Sequence, residues 1–432
     1  MPDMKLCSKE ITCRGRISRR KTLAAIGTPI LLLPFFNRDG LSYITPEQFG
    51  AKGDGRTSDA MAINRALARL VEDGGGELQF SSGTYLIDMP LDGRKLSNVT
   101  LRGNGMIKAV NGSSFEYILN IAGTRNVTID GLTFDANKAG RLAAVKLSCV
   151  NANATAECVM TNCTFLNALG RTGSVGTSSV AVSASNGCTN LLVYGCVVKD
   201  CGISATIRPS DGIFVRGNNC VIRNCRGENV TDHAFVLEGC SGSKIENCSG
   251  YGCTSIAAIS NDMDEDIEGN EITGIKGSSS YLGSFGGIVG VYALGRGRIR
   301  KSFVRDINVT VASNAKGSGA GLYLYGAMDG VIVEKVSVDV GTSKGVMNHA
   351  AVLDRVSGVE LRDSRLRADP AGTCIRLVNR AAGALIVNNS LVNGLYGIYA
   401  DGASAFIEGN NDFVDCRTPI ELAGQAVVRR VR

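Results

Sequence analysis

The sequence predicts an all-β chain, a single-stranded right-handed parallel β-helix of about 12 coils with an amino-terminal capping helix. Three observations carry this reading. Short segments in which apolar and polar residues alternate return at intervals of about 21 to 33 residues. Gly is abundant at 54 and Pro scarce at 8, in a chain crowded with Val, Ile and Asn, which suits short strands separated by tight bends. One amphipathic helical stretch precedes the first repeat and can cover the open end of the stack.

The order along the chain divides it into an export signal and linker (1–40), a cap of one helix and strands (41–97) and the β-helix (98–432). Arg14, Arg16 and Ser18-Arg19-Arg20-Lys21-Thr22-Leu23 lead into an apolar run from Ala24 to Phe36, the order of a twin-arginine-type export signal. The run is too short to span a bilayer stably, so the expected location is periplasmic or extracellular. The first 36 residues hold seven Lys or Arg against two acids, leaving about +1 of the formal +6 for the body. No basic face of the kind that binds nucleic acid remains.

In the cap, Ser58 is placed to N-cap a helix from about Asp59 to Val71, with Ile63, Ala66, Leu67 and Leu70 on one face and Gly74-Gly75-Gly76 ending it. The first strand register then begins near Val99, Val127, Cys158, Leu191, Cys220, Ser243, Asp266, Arg298, Val331, Val359, Ala384 and Ala405. Asn162, Asn224, Asn247, Asn270 and Asn388 fall four places into these segments and are read as left-handed corner residues. A second register is DGIFV at 211–215, DHAFV at 232–236, TSIAA at 254–258, GGIVG at 286–290, HAAVL at 349–353 and TCIRL at 373–377. Of the 15 cysteines, Cys163, Cys196, Cys225 and Cys248 repeat at one coil position and read as a buried stack, with a disulfide framework as the alternative.

The second register carries the candidate chemistry. Asp211, Asp232 and Thr254 are one coil apart, so the two carboxylates are expected on one face about one ladder spacing from each other. So close a pair favours one protonated and one charged member, the acid and base of glycoside cleavage. His233 adds a base or proton shuttle. Arg208 and Arg216 flank these residues and can clamp a ligand carboxylate, whereas His349 reads as structural because no acids accompany it. No cofactor is required, although Asp262, Asp264 and Asp266 form an acidic loop that can hold calcium.

The run ITPEQFGAKGDGRTSDAMAINRAL from Ile44 to Leu67, continued by GELQFSSGTYLI, resembles the amino-terminal cap of the pectate lyase and polygalacturonase superfamily. The resemblance implies the β-helix and a polysaccharide partner, in a superfamily that includes hydrolases, lyases, uronate epimerases and viral tailspikes. The polygalacturonase pattern is Asn-Thr-Asp, Asp-Asp, Gly-His-Gly and Arg-Ile-Lys. Here the matching stretches are Pro209-Ser210-Asp211, Asp232-His233, Gly252-Cys253-Thr254 and Arg298-Ile299-Arg300. Asp211 and Asp232 carry over as catalytic acids, and Thr254 and Arg298 as substrate contacts; His233 replaces the second Asp, and the family's histidine is replaced by Cys253. The expected function is cleavage of an acidic, uronate-containing polysaccharide, by hydrolysis before elimination or epimerisation. The alternative is a surface protein that binds glycans without cleaving them.

Overall fold

A computed structural model describes residues 43–138, 147–169, 179–203, 210–281, 286–316, 319–341, 349–402 and 404–431. The proposed export signal and Arg208 lie outside these residues. The rest is a right-handed parallel β-helix whose three faces are built from successive coils. A typical coil runs through Val221–Arg223, a corner, Arg226–Glu228, a second corner and His233–Glu238. Each strand pairs in parallel with its counterpart one coil later: Val221 with Lys244, Arg226 with Ser249, His233 with Ser255. The face that includes His233 is a 13-stranded ladder, against the about 12 coils read from the sequence.

The corners follow from side-chain chemistry. Asn162, Asn224, Asn247 and Asn388 sit at φ 52–57°, the left-handed region that Asn tolerates best after Gly. Asn270 does not belong with them. It is buried, its Oδ1 accepts the Ser243 N–H at 3.0 Å and its Nδ2 donates to the Cys240 carbonyl at 2.6 Å. The corner of that coil is Gly274, at φ 67°. The expected repeat segments near Asp266 and Arg298 are therefore displaced. Ile267–Glu268 and Ile299–Arg300 join Met328–Asp329 in a separate three-stranded ladder, and the main face resumes at Glu271 and Phe303.

The interior is one apolar column along the axis. Cys163, Cys196, Cys225 and Cys248 lie buried in it, and Sγ of Cys248 accepts the Cys225 N–H at 3.4 Å. All the cysteines among the described residues are free thiols, so here they act as small apolar fillers.

The helix spans Ala60–Glu72 and buries Ile63, Ala66, Leu67 and Leu70 as expected. Its cap differs. Ser58 ends the strand Asp54–Ser58 and its hydroxyl donates to Asp88 at 2.6 Å, while Asp59 takes the N-cap position. The buried Asp59 carboxylate turns back to accept the N–H groups of Lys52 at 2.6 Å and Gly53 at 3.1 Å, fixing the loop before the helix instead of the helix's own first turn. No helix of the described residues is long and apolar enough to cross a membrane.

Candidate active site

The 13-stranded face positions the candidate residues. Its strands Ser210–Asn218, His233–Glu238, Ser255–Asn261, Gly287–Ala293, Ala320–Tyr325, His349–Asp354, Thr373–Val378 and Tyr396–Ala400 lie side by side. Ile213 pairs with Phe235, and both point into the core. That register sets Asp211 opposite His233 and Ser210 opposite Asp232; the Asp232 N–H donates to the Ser210 carbonyl at 3.2 Å. The sequence alignment of Asp211 with Asp232 is thus one residue out. Thr254 stacks on Asp232, as expected, and Ser255 on His233.

The slip does not separate the acids. Asp211, Asp232 and His233 each offer a ligand atom within 4.8 Å of the others. Asp211 is buried, and its Oδ1 accepts the His233 backbone N–H at 3.0 Å and faces His233 Nδ1 at 3.2 Å. Asp232 Oδ1 lies 3.0 Å from the same Nδ1, and its side chain is 35% exposed against 4% for Asp211. Burial pushes the His233 pKa down, but Asp232 and Asp211 overcome it and hold the imidazole well above its ordinary value. The result is an imidazolium with one buried carboxylate that fixes it and one exposed carboxylate beside it.

Two residues, one packed beside this site and one that feels it only electrostatically, were not legible as such in the sequence. Tyr292, two coils on, brings its ring to 6.2 Å from His233, edge to face. Its hydroxyl accepts the Gly287 N–H at 3.1 Å, so the ring folds flat over Gly290, where a Cβ would come within 2.2 Å of it. Glu238 is the other. Burial raises its carboxyl pKa, Arg216 lowers it, and Asp262 and Asp211 raise it further. A glycine two residues before a tyrosine, and an acid five residues after His233, were the available signals.

The remaining candidates are engaged elsewhere. Arg216 bridges Glu238 and Asp262, the latter at 2.8 Å, with its guanidinium 6.0 Å from the Phe214 ring. It is therefore a structural tie between three coils, not the free uronate clamp expected of it. The Thr254 hydroxyl donates to the Thr231 carbonyl at 3.0 Å and shapes the turn into its strand. Arg298 is exposed beyond the far end of Gly287–Ala293, where its N–H donates to Asp266 at 2.8 Å, so it does not join the cluster.

The acidic loop is also drawn to arginines. Asp262 meets Arg216, Asp264 lies 4.0 Å from Arg296, and Asp266 lies 3.5 Å from Arg300. Among the described residues the grouping that could hold a cation is instead Asp211, Asp232 and His233. Its two carboxylates suit calcium, while its imidazole nitrogen is a ligand that hard cations rarely use.

His349 stands on the same column as His233, reached through Ser255, Gly287 and Ala320. Its Nδ1 accepts the Thr373 N–H at 3.2 Å, and its Nε2 faces the Arg376 guanidinium at 3.2 Å. Burial first, then Arg376, depresses its pKa to about 4. It is a neutral ring among donors.

The stack and its cap are those of a right-handed parallel β-helix, similar to the pectate lyase-like superfamily. Within it, residues 45–257 match the family described as rhamnogalacturonase A/epimerase, pectate lyase-like, a stretch that covers the cap and the Asp211–His233 cluster. The chain superposes on tailspike protein 3 of bacteriophage CBA120 with a TM-score of 0.60 at 13% identity, over 90% of this chain and 61% of that one. It superposes on the endo-xylogalacturonan hydrolase of Aspergillus tubingensis with a TM-score of 0.56 at 15% identity, over 80% and 95%. The Streptococcus pneumoniae surface adhesin PfbA gives 0.54 at 14% identity, over 88% and 100%. At these identities the likeness is one of fold. Among curated proteins, capsule KN3-specific depolymerase 1 of Klebsiella phage KN3-1 is 45% identical over 56 residues, which is 13% of this chain and only 7% of the phage protein's length.

Proposed function

We propose that the chain is an exported carbohydrate-active enzyme that cleaves an acidic, uronate-containing polysaccharide, by hydrolysis. The observation that carries this reading is the convergence of Asp211, Asp232 and His233 on the outer face of the ladder. Hydrolysis needs a proton delivered to the leaving oxygen and a base for the attacking water. His233, kept protonated by its two carboxylates, supplies the proton. Asp232, the exposed carboxylate, takes the proton of the water as its oxygen bonds to the anomeric carbon and the glycosidic C–O bond breaks. Asp211 acts through His233: it holds both the backbone and the ring of that residue and is a positioning group. The family match to a rhamnogalacturonase and epimerase group, and the hydrolase and tailspike folds, support a glycan substrate.

The test is incubation of the full chain with polygalacturonate, alginate and rhamnogalacturonan, following new reducing ends and the ultraviolet absorbance of unsaturated uronates. Reducing ends without absorbance are expected. Absorbance would replace hydrolysis by β-elimination, with Asp232 removing the proton next to the uronate carboxylate and His233 protonating the leaving oxygen. Retention of a glycan without either product would favour the second reading, a non-catalytic binder. That reading draws on the half-exposed Tyr396 and Tyr399, whose ring centroids lie 5.2 Å apart further along the same face, where a sugar ring can stack.

A further inference from the structure

The outward face does not end at His233. Tyr292 and Tyr323 continue it with ring centroids 6.1 Å apart, and Tyr325 follows with Arg355 set 5.6 Å over its ring. Two coils beyond Tyr323 on the same column stands Arg376, paired in register with Val352 below and Tyr399 above. Other half-buried arginines of the stack meet carboxylates: Arg216 meets Glu238, Arg223 meets Glu246, and Arg362 meets Glu334. Among the described residues Arg376 has no such partner. Its guanidinium lies 5.9 Å from the Tyr399 ring centroid and 3.2 Å from His349 Nε2. The imidazole is fixed from its other side by the Thr373 N–H.

This arrangement sets a guanidinium fork over a tyrosine ring and beside one histidine, with no carboxylate partner among the described residues. A carboxylate is the ligand such a fork fits, because two parallel N–H donors match its two oxygens. Phosphate would fit the same fork, but the neighbouring surface is aromatic and suited to sugar rings. We propose that His349, Arg376 and Tyr399 form a second glycan-contact site, which takes the carboxylate of a uronate five ladder steps from His233, about 24 Å along the axis. Arg376 recognises the acid group, Tyr399 supplies the ring beneath it, and His349, whose Nε2 lies 3.2 Å from the Arg376 guanidinium, is a positioning residue. This rests on the acidic-polysaccharide reading above and deepens it: the polymer lies along the helix axis, gripped by charge at one end and cut at the other.

The chain holds only two histidines, so imidazole NMR signals report the two sites separately. The full chain is titrated with D-galacturonate and, in parallel, with neutral methyl galactoside. The expected result is a saturable shift of the His349 signals with galacturonate and none with the neutral sugar. Arg376→Gln should weaken that response about tenfold, the scale of a lost charge-assisted contact. Arg376→Lys, which keeps the charge without the fork, should fall between, and serves if the Gln variant does not fold. An equal response to the neutral sugar, an unchanged response in either Arg376 variant, or no response at His349 overturns the second site. A shift at His233 alone overturns it while leaving the catalytic reading standing. A shift at His349 alone supports it and counts against uronate occupancy of the first cluster.

Discussion

His233 and His349 occupy one position on one ladder, four coils apart, and carry opposite electrostatics. Both are desolvated, which by itself disfavours a charged ring. At His233 the coil below supplies Asp211 and the preceding residue is Asp232, so the ring is held protonated. At His349 the coil above supplies Arg376, and the ring is held neutral, at about 4. The backbone is common to both, so the neighbour one ladder spacing away decides whether a histidine in this fold stores a proton or accepts a hydrogen bond. In a β-helix, chemistry is written between coils as much as along the strand.

The sharpest way to break this comparison is to remove the exposed acid. Asp232→Asn should lower turnover of the cleaved polymer at least about 100-fold, the usual contribution of a general base, while the chain still folds and its thermal melt falls only by the loss of the Asp232–His233 pair. Asp232 is partly exposed and supports no core contact. Undiminished turnover would make the His233 cluster as structural as its counterpart at His349.

The buried acid should act on the proton itself. Asp211→Asn keeps the shape and one acceptor oxygen but removes the charge, so the His233 pKa should fall, read by imidazole NMR, and the alkaline limb of the activity profile should move to lower pH. The linked effect on stability has a definite sign. A histidine raised in the folded state contributes stability in full below its unfolded pKa, about 6.5, and loses it as pH rises through the folded value. The variant should therefore lose less stability than the parent between neutral and alkaline pH. An unmoved His233 titration would remove Asp211 from its positioning role.

At His349 the sign reverses. Above about pH 6.5 the ring is neutral in both states and contributes nothing. As pH falls from there to about 4 the unfolded chain takes up a proton that the folded ring refuses, so stability declines. The total is up to about 3 kcal/mol. His349→Gln, which still offers an acceptor to Arg376 or Thr373, should flatten this part of the curve in denaturant titrations at pH 4 and 7. A parent and variant with the same pH dependence would refute the assignment.

Much of this architecture was readable because stacking imposes periodicity. The corner asparagines, the cysteine column and the buried face of the cap helix each repeat a demand of the backbone or the core, and the structure meets them at Asn224, Cys225 and Leu67. Coil lengths were harder to read. The insertion that builds the three-stranded side ladder shifts the repeat between Ser243 and Ser302, so Asn270 was assigned a corner although it lies inside. The Asp211 register missed by one residue for a related reason. Gly212 and Ala234, like Ile213 and Phe235 beside them, belong to the inner side, so simple alternation fails where the strand begins. The right residues were found and the wrong pair was stacked. Tyr292 was invisible because it reaches the site by side-chain path, across Gly290.

Gly290 allows the finest adjustment of the comparison. Its φ is not in the left-handed region, so the requirement is one of space alone: a Cβ there would overlap the Tyr292 ring. Gly290→Ala should lift the ring, break its hydrogen bond to the Gly287 N–H and open the wall beside His233 to water. Displacing a packed ring costs on the order of 1 to 3 kcal/mol, to be read from urea unfolding. The electrostatic consequence is separate from that loss. Better solvation relieves the desolvation that opposes the His233 charge but also screens Asp211 and Asp232, which favour it. Because the carboxylates outweigh burial in the folded protein, screening should dominate and the His233 pKa should fall towards its ordinary value. His349, four coils along the ladder from His233, should not respond. A matching change at both rings would mean that Gly290→Ala disturbs the whole ladder, and that Tyr292 does not define the His233 site.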